Sequence, residues 1–140
     1  GLTSNAQEHA LVADLMRQLG VKAASANVPA QTLSGGNQQK LVIGKWLATK
    51  PRVLILDEPT RGVDVGAKAE VHNLIRQLAK QGMATLLISS DLPEVLAVSD
   101  RILVMRAGRI AGELSRADAT QEKILSLALS ETNRETEAAA

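Results

Sequence analysis

The sequence has 140 residues, one domain's worth at most, with 45% apolar residues, enough for a core, and a formal net charge of +1. Near-neutral charge argues against nucleic acid or an acidic membrane as a direct partner, and the absence of cysteine excludes disulfides, a thiolate nucleophile and a Cys-ligated metal. No apolar run reaches the length of a membrane span, and the opening GLTSNAQEHA has neither the basic nor the apolar region of a signal peptide, so a soluble cytosolic chain is the expectation.

The chain opens without Met and runs almost at once into a helix, which reads as a boundary inside a longer protein. Ser4-Asn5-Ala6-Gln7 fits a capping box with Ser4 as N-cap. Leu11, Val12, Leu15 and Leu19 follow at helical spacing, with Gly20 as the stop. Residues 21–33 read as a loop around Pro29. Ser34-Gly35-Gly36 opens a second helix that runs to about Thr49 and is ended by Lys50-Pro51. Val53-Leu54-Ile55-Leu56, closed by Asp57-Glu58-Pro59, is short, aliphatic and bounded by turn residues, as a parallel strand buried on both faces would be. Ala67, Val71, Leu74, Ile75 and Leu78 line one face of a helix over 66–81, which Gly82 closes. Ala84 to Ile88 predicts a second buried strand, and a short helix follows near 92–98. Residues 102–105 and 109–112 predict a strand pair around Ala107-Gly108, and Thr120 to Leu129 a last helix. Residues 131–140, polar and then Ala-rich, predict a flexible tail. Alternating helices and strands imply an α/β fold, whose ligands gather at the carboxyl ends of the strands; Asp57-Glu58 and Ser90-Asp91 both fall there.

Two segments carry chemistry. In Leu33-Ser34-Gly35-Gly36-Asn37-Gln38-Gln39-Lys40, a serine and two glycines start a helix whose first N–H groups lack intrahelical partners, so a phosphate can approach closely. An ordinary cap with a flexible lead-in explains Ser-Gly-Gly equally well taken alone. In Val53-Leu54-Ile55-Leu56-Asp57-Glu58, four aliphatics end in two acids. The first can hold Mg²⁺ through water, and the second can orient and deprotonate an attacking water. A strand running into a solvated acidic turn is the plain alternative.

Together, and followed directly by Pro59-Thr60-Arg61-Gly62-Val63-Asp64, these segments make the chain resemble the ABC ATPase family over nearly its whole length. LSGGNQQK is similar to the ABC signature, VLILDEP to the Walker B strand and RGVD to the D-loop. The Asn-Gln-Gln-Lys variant with Glu-Pro-Thr-Arg-Gly-Val-Asp is most similar to the second ATPase domain of tandem sugar importers for ribose, galactose or xylose.

The resemblance implies a partial P-loop NTPase fold with a mostly parallel sheet and helices on its faces, lacking the strand that feeds the phosphate loop. Residues 1–50 would be part of the helical subdomain, and 51–130 part of the α/β core. It further implies two cassettes closing head to tail on ATP and Mg²⁺. Ser34, Gly35, Gly36 and Gln38 would touch the partner cassette's ATP, Asp57 would hold Mg²⁺, Glu58 would be the general base, and Asp64 would link the two sites at the seam. Membrane permease subunits and, indirectly, a periplasmic sugar-binding protein would be partners, with no nucleic acid. The protein would sit peripherally on the cytoplasmic face of the inner membrane.

The sequence departs from the family pattern in two places. No G-x-x-x-x-G-K-[ST] occurs, and Lys40 after Gly35-Gly36 does not meet that spacing. Ser90 stands where the family has its switch histidine; a hydroxyl can hydrogen-bond a phosphate but carries no charge, which argues against fast hydrolysis at the Glu58 site. His9 and His72 read as structural or solvated, and Trp46 as a packing residue.

About three phosphate hydrogen bonds of roughly 1.5–3 kcal/mol each are offset by a binding cost of roughly 4–15 kcal/mol, so the chain by itself is expected neither to bind nor to hydrolyse ATP measurably. Its uncovered strand edges are expected to promote association. Two alternatives share the motifs: an ABC ATPase of DNA repair or translation, and a non-catalytic dimerisation module.

Overall fold

The computed structural model describes residues 4–129, which divide into two compact units between Ser89 and Ser90. The expected tail over 131–140 lies outside the described residues.

The first unit is built from three helices and a parallel strand pair: α1 (Asn5–Gln18), α2 (Gly35–Leu47), β1 (Val53–Asp57), α3 (Val65–Lys80) and β2 (Ala84–Ile88). A short 3-10 turn, Ala30–Thr32, interrupts the expected loop before α2. Strands β1 and β2 pair in register from Val53↔Ala84 to Asp57↔Ile88. Helix α3 is the crossover that a parallel pair requires. Its apolar stripe behaves as the spacing predicts: Val71, Leu74, Ile75 and Leu78 are all buried, each contributing roughly 1.5–3 kcal/mol. They form one core with Leu19, Ile43, Leu54 and Leu56.

Three expectations fail here. Neither strand is buried on both faces. Leu54 and Leu56 face the helices, whereas Val53 is 57% and Ile55 63% exposed, and Leu86 and Ile88 of β2 are exposed as well. The described helices of this unit cover one side of the pair and leave the other bare of them. Ser4 does stand at the N-cap of α1, but its side chain caps nothing, so the capping box is not formed. Trp46 is 56% exposed on α2 rather than packed, and its ring takes the Lys45 ammonium at 5.9 Å from the centroid.

The second unit holds α4 (Leu92–Val98), an antiparallel hairpin of β3 (Arg101–Arg106) and β4 (Arg109–Ser115), and α5 (Gln121–Leu129). The two-residue turn Ala107-Gly108 has φ of 47° and 74°, the paired left-handed geometry that suits a tight hairpin. Val104 pairs with Gly112 and Met105 with Ile110, which leaves Ala111 as the extra residue of a bulge. Ile102, Val104 and Ile124 form this unit's own core.

Candidate active site

The strand-tip acids come first. Asp57 ends β1 on its exposed side, in register with Ile88. Glu58 then turns the chain with a left-handed backbone, φ 46°, a conformation that costs a residue with a side chain about 1–2 kcal/mol. Two hydrogen bonds hold it there. Its N–H donates to the Ile88 carbonyl at 2.8 Å, and its own carbonyl accepts from Arg61 N at 3.1 Å. Beneath this turn Pro59 and Thr60 are almost wholly buried, a floor that the sequence reading missed. Strain at a carboxylate-bearing residue, fixed by its surroundings, is the arrangement found where a side chain must be aimed.

The turn continues through Val63 N to Thr60 O at 3.1 Å and ends at Asp64. Asp64 is exposed, and its Oδ1 accepts from Ala67 N at 2.9 Å, so it caps α3. Arg61 is exposed, as are Ser34 and Gly35 at the start of α2. No side chain of Ser34 caps that helix; its Oγ instead accepts from Asn37 Nδ2 at 2.9 Å. Asn37 is buried, and its Oδ1 accepts from Lys22 N at 2.9 Å, which anchors the turn from below. A β-carbon on Gly35 would meet nothing within 4 Å.

The other two signature candidates, Gly36 and Gln38, adjoin this turn. A β-carbon on Gly36 would stand 2.5 Å from Ala67 Cβ, so this buried glycine lets α2 close on α3. Gln38 is exposed, but its Nε2 donates to the Leu33 carbonyl at 2.8 Å and so braces the turn. Ser90 is exposed in the second unit, just before Asp91, which caps α4 by accepting from Glu94 N at 3.3 Å. His9 is exposed on α1 and His72 half-buried on α3.

Lys40, set aside in the sequence as a phosphate-loop lysine, is buried and ion-paired to Glu70 at 2.6 Å. Hydrogen bonds from Lys40 and then Lys22, with their charges, hold the Glu70 carboxyl below the usual carboxylate range. Among the described residues no three His, Cys, Asp or Glu side chains cluster as a metal site.

The sequence pattern of the ABC transporter family matches residues 3–61, the stretch that holds both the signature turn and the strand-tip acids. Over that stretch the chain is similar to ABC transporters. A ribose import ATP-binding protein of Streptomyces coelicolor is 56% identical over 128 residues, covering 91% of this chain and 25% of its own length. One of Rhizobium meliloti is 53% identical over 128 residues, with the same two coverages. The chain thus spans about a quarter of the length of the curated relatives it matches. A solved dimeric bacterial ABC transporter cassette superposes with a TM-score of 0.70 at 22% identity, over 83% of this chain and 50% of that one, which shows the shared ABC cassette fold. No helix among the described residues is long and apolar enough to cross a membrane.

Proposed function

We propose that this chain supplies the signature, Walker B and D-loop segments of an ATP-hydrolysing cassette that drives sugar uptake. The observation that carries the reading is the start of α2, where Ser34 and Gly35 are exposed and no side chain caps the helix, together with a carboxylate pair at the tip of a parallel strand. The identity of 53–56% to ribose import ATP-binding proteins supports sugar as the cargo.

The residues fit the groups such a site takes. The start of α2 has unpaired N–H donors and room over Gly35 for an anion. Asp57 is one exposed carboxylate, and Mg²⁺ is commonly held by one or two carboxylates with phosphate and water completing its shell. Bound there, Mg²⁺ would neutralise charge on the phosphates. Glu58, aimed by its fixed backbone, would orient the attacking water and take its proton. Ser34 and the N–H of Gly35 would donate to the terminal phosphate of a nucleotide held by a partner cassette, a head-to-tail arrangement in keeping with a dimeric solved relative. Gln38 would act through the Leu33 carbonyl, keeping the turn rigid. Gly36 would set its height above α3. Asp64 would fix the D-loop by capping α3 at the seam. Ser90 would offer a hydroxyl where a charged imidazole speeds the reaction in the family, so turnover at the Glu58 site is slow. Residues 1–50 would then belong to the helical subdomain and 51–130 to the α/β core, the permease would be the membrane partner, and the protein would lie at the cytoplasmic face.

Steady-state ATP hydrolysis by the full-length protein with its permease tests this. Loss of a general base costs on the order of 10²–10⁴-fold, so Glu58→Gln should abolish measurable turnover while Ser90→His raises it. Parental rates in Glu58→Gln would remove the assigned base and with it the reading.

A further inference from the structure

Helices α2 and α3 are joined by two rungs one turn apart. The first is Gly36 against Ala67, so close that any side chain at 36 would overlap Ala67 Cβ. The second lies four residues along α2 and three along α3: Lys40 Nζ donates to Glu70 Oε2 at 2.6 Å and to the Gly20 carbonyl at 3.1 Å. The Lys40 side chain is 6% exposed, whereas that of Glu70 is 43% exposed. The other Glu70 oxygen accepts from Lys22 Nζ at 3.1 Å, which ties in the segment after α1.

A buried ammonium is tolerated only when its N–H groups are paired. Sliding α2 by one residue in either direction would separate Lys40 from Glu70, and in one direction it would also drive Asn37 into Ala67, so the ion pair fixes the register on both sides and the Gly36 contact on one. Both rungs lead to the candidate site. Gly36 follows directly on the Ser34–Gly35 turn, Lys40 lies about one helical turn further along α2, and Ala67 donates its N–H to Asp64. Neither Lys40 nor Glu70 is exposed on that turn itself.

We propose that Lys40 and Glu70 are positioning residues that set the depth and rotation at which the Ser34–Gly35 turn is presented relative to Asp64, so that signature and D-loop act as one body. This rests on the reading that both segments act at nucleotide. The charge-assisted contacts that hold the Glu70 carboxyl low agree with a tight pairing.

Steady-state ATP hydrolysis by the full-length protein with its permease, in single and double variants, is the test. Lys40→Met should lower kcat about tenfold while KM for ATP stays within about twofold, because only closure onto the partner uses the signature. Lys40→Arg should recover kcat to within about threefold of the parent, and Lys40→Met with Asp64→Ala should fall by less than the product of the two singles. Glu70→Gln, at the more exposed end of the pair, should show the same pattern at about threefold and keeps the test decisive where Lys40→Met does not fold. Parental kcat in both variants, a loss that Arg does not restore, a rise in KM alone, or strict additivity with Asp64→Ala overturns the proposal. With Glu58→Gln inactive in the same assay, those outcomes sink only the positioning role; with Glu58→Gln fully active, the functional reading fails and takes this one with it.

Discussion

Helices α2 and α3 both begin at an exposed N-cap residue, Ser34 and Asp64, and treat it differently. At α3 the Asp64 carboxylate accepts from Ala67 N, so a side chain of this chain occupies the positive end of the helix. At α2 the Ser34 hydroxyl turns away to Asn37, and the first-turn N–H groups carry no side-chain cap. A helix start that is braced from below, by Asn37 and Gln38, yet left uncapped above is rigid and receptive to an anion from outside. The other is closed and serves the fold. On the proposed reading, the contrast gives the phosphate-facing role to α2 and the scaffold role to α3.

The largest effect should come from placing a carboxylate on the open start. Gly35→Asp has room for its side chain, so the fold should survive, but the charge should repel phosphate and cut ATP turnover of the full-length protein more than about 100-fold. Normal turnover with Asp at 35 would break the assignment. One residue on, Gly36→Ala meets Ala67 at 2.5 Å and should destabilise by about 1–3 kcal/mol in a urea titration. An unchanged midpoint would mean that α2 can lift from α3 without cost. Next, Asp64→Ala should cost about 1 kcal/mol, the loss of a working cap, whereas Ser34→Ala should stay within about 0.5 kcal/mol. Equal losses at the two positions would erase the contrast.

The smallest effect concerns pH. The Glu70 carboxyl is held low in the folded chain, chiefly by Lys40 and then by Lys22. The unfolded state therefore takes up its proton first on acidification. Its stabilising contribution is present above the ordinary carboxylate pKa and is lost as pH falls through the lowered folded value. Urea midpoints followed downward in pH should fall more steeply for the parent than for Glu70→Gln, and parallel curves would show that the pair contributes nothing.

Periodicity and punctuation made most of the elements legible. Helix α3 was readable because four aliphatics recur at helical spacing between Asp64 and Gly82, and the hairpin because Ala107-Gly108 supplies two residues at a turn. The site was legible where chemistry is local: Asp57 and Glu58 directly follow an aliphatic run, and Ser34-Gly35 starts a helix. Burial was not. An aliphatic run reads as buried on both faces, but Val53 and Ile55 face away from the only helices this unit places on the strand pair. Trp46 sits in step with apolar neighbours and still projects outward.

The sequence by itself determined which segments become helix or strand and which residues could meet a phosphate or a metal, because those properties depend on neighbours a few positions away. Only the tertiary structure decided that Gly36 and Lys40 belong to the joint with α3, that Glu58 is held in a left-handed backbone by Ile88, and that Asp64 is already engaged. Gly36, Lys40 and Glu58 each depend on a partner about 30 positions distant, which packing and not local spacing brings into contact, whereas Asp64 is engaged by its own helix three positions on.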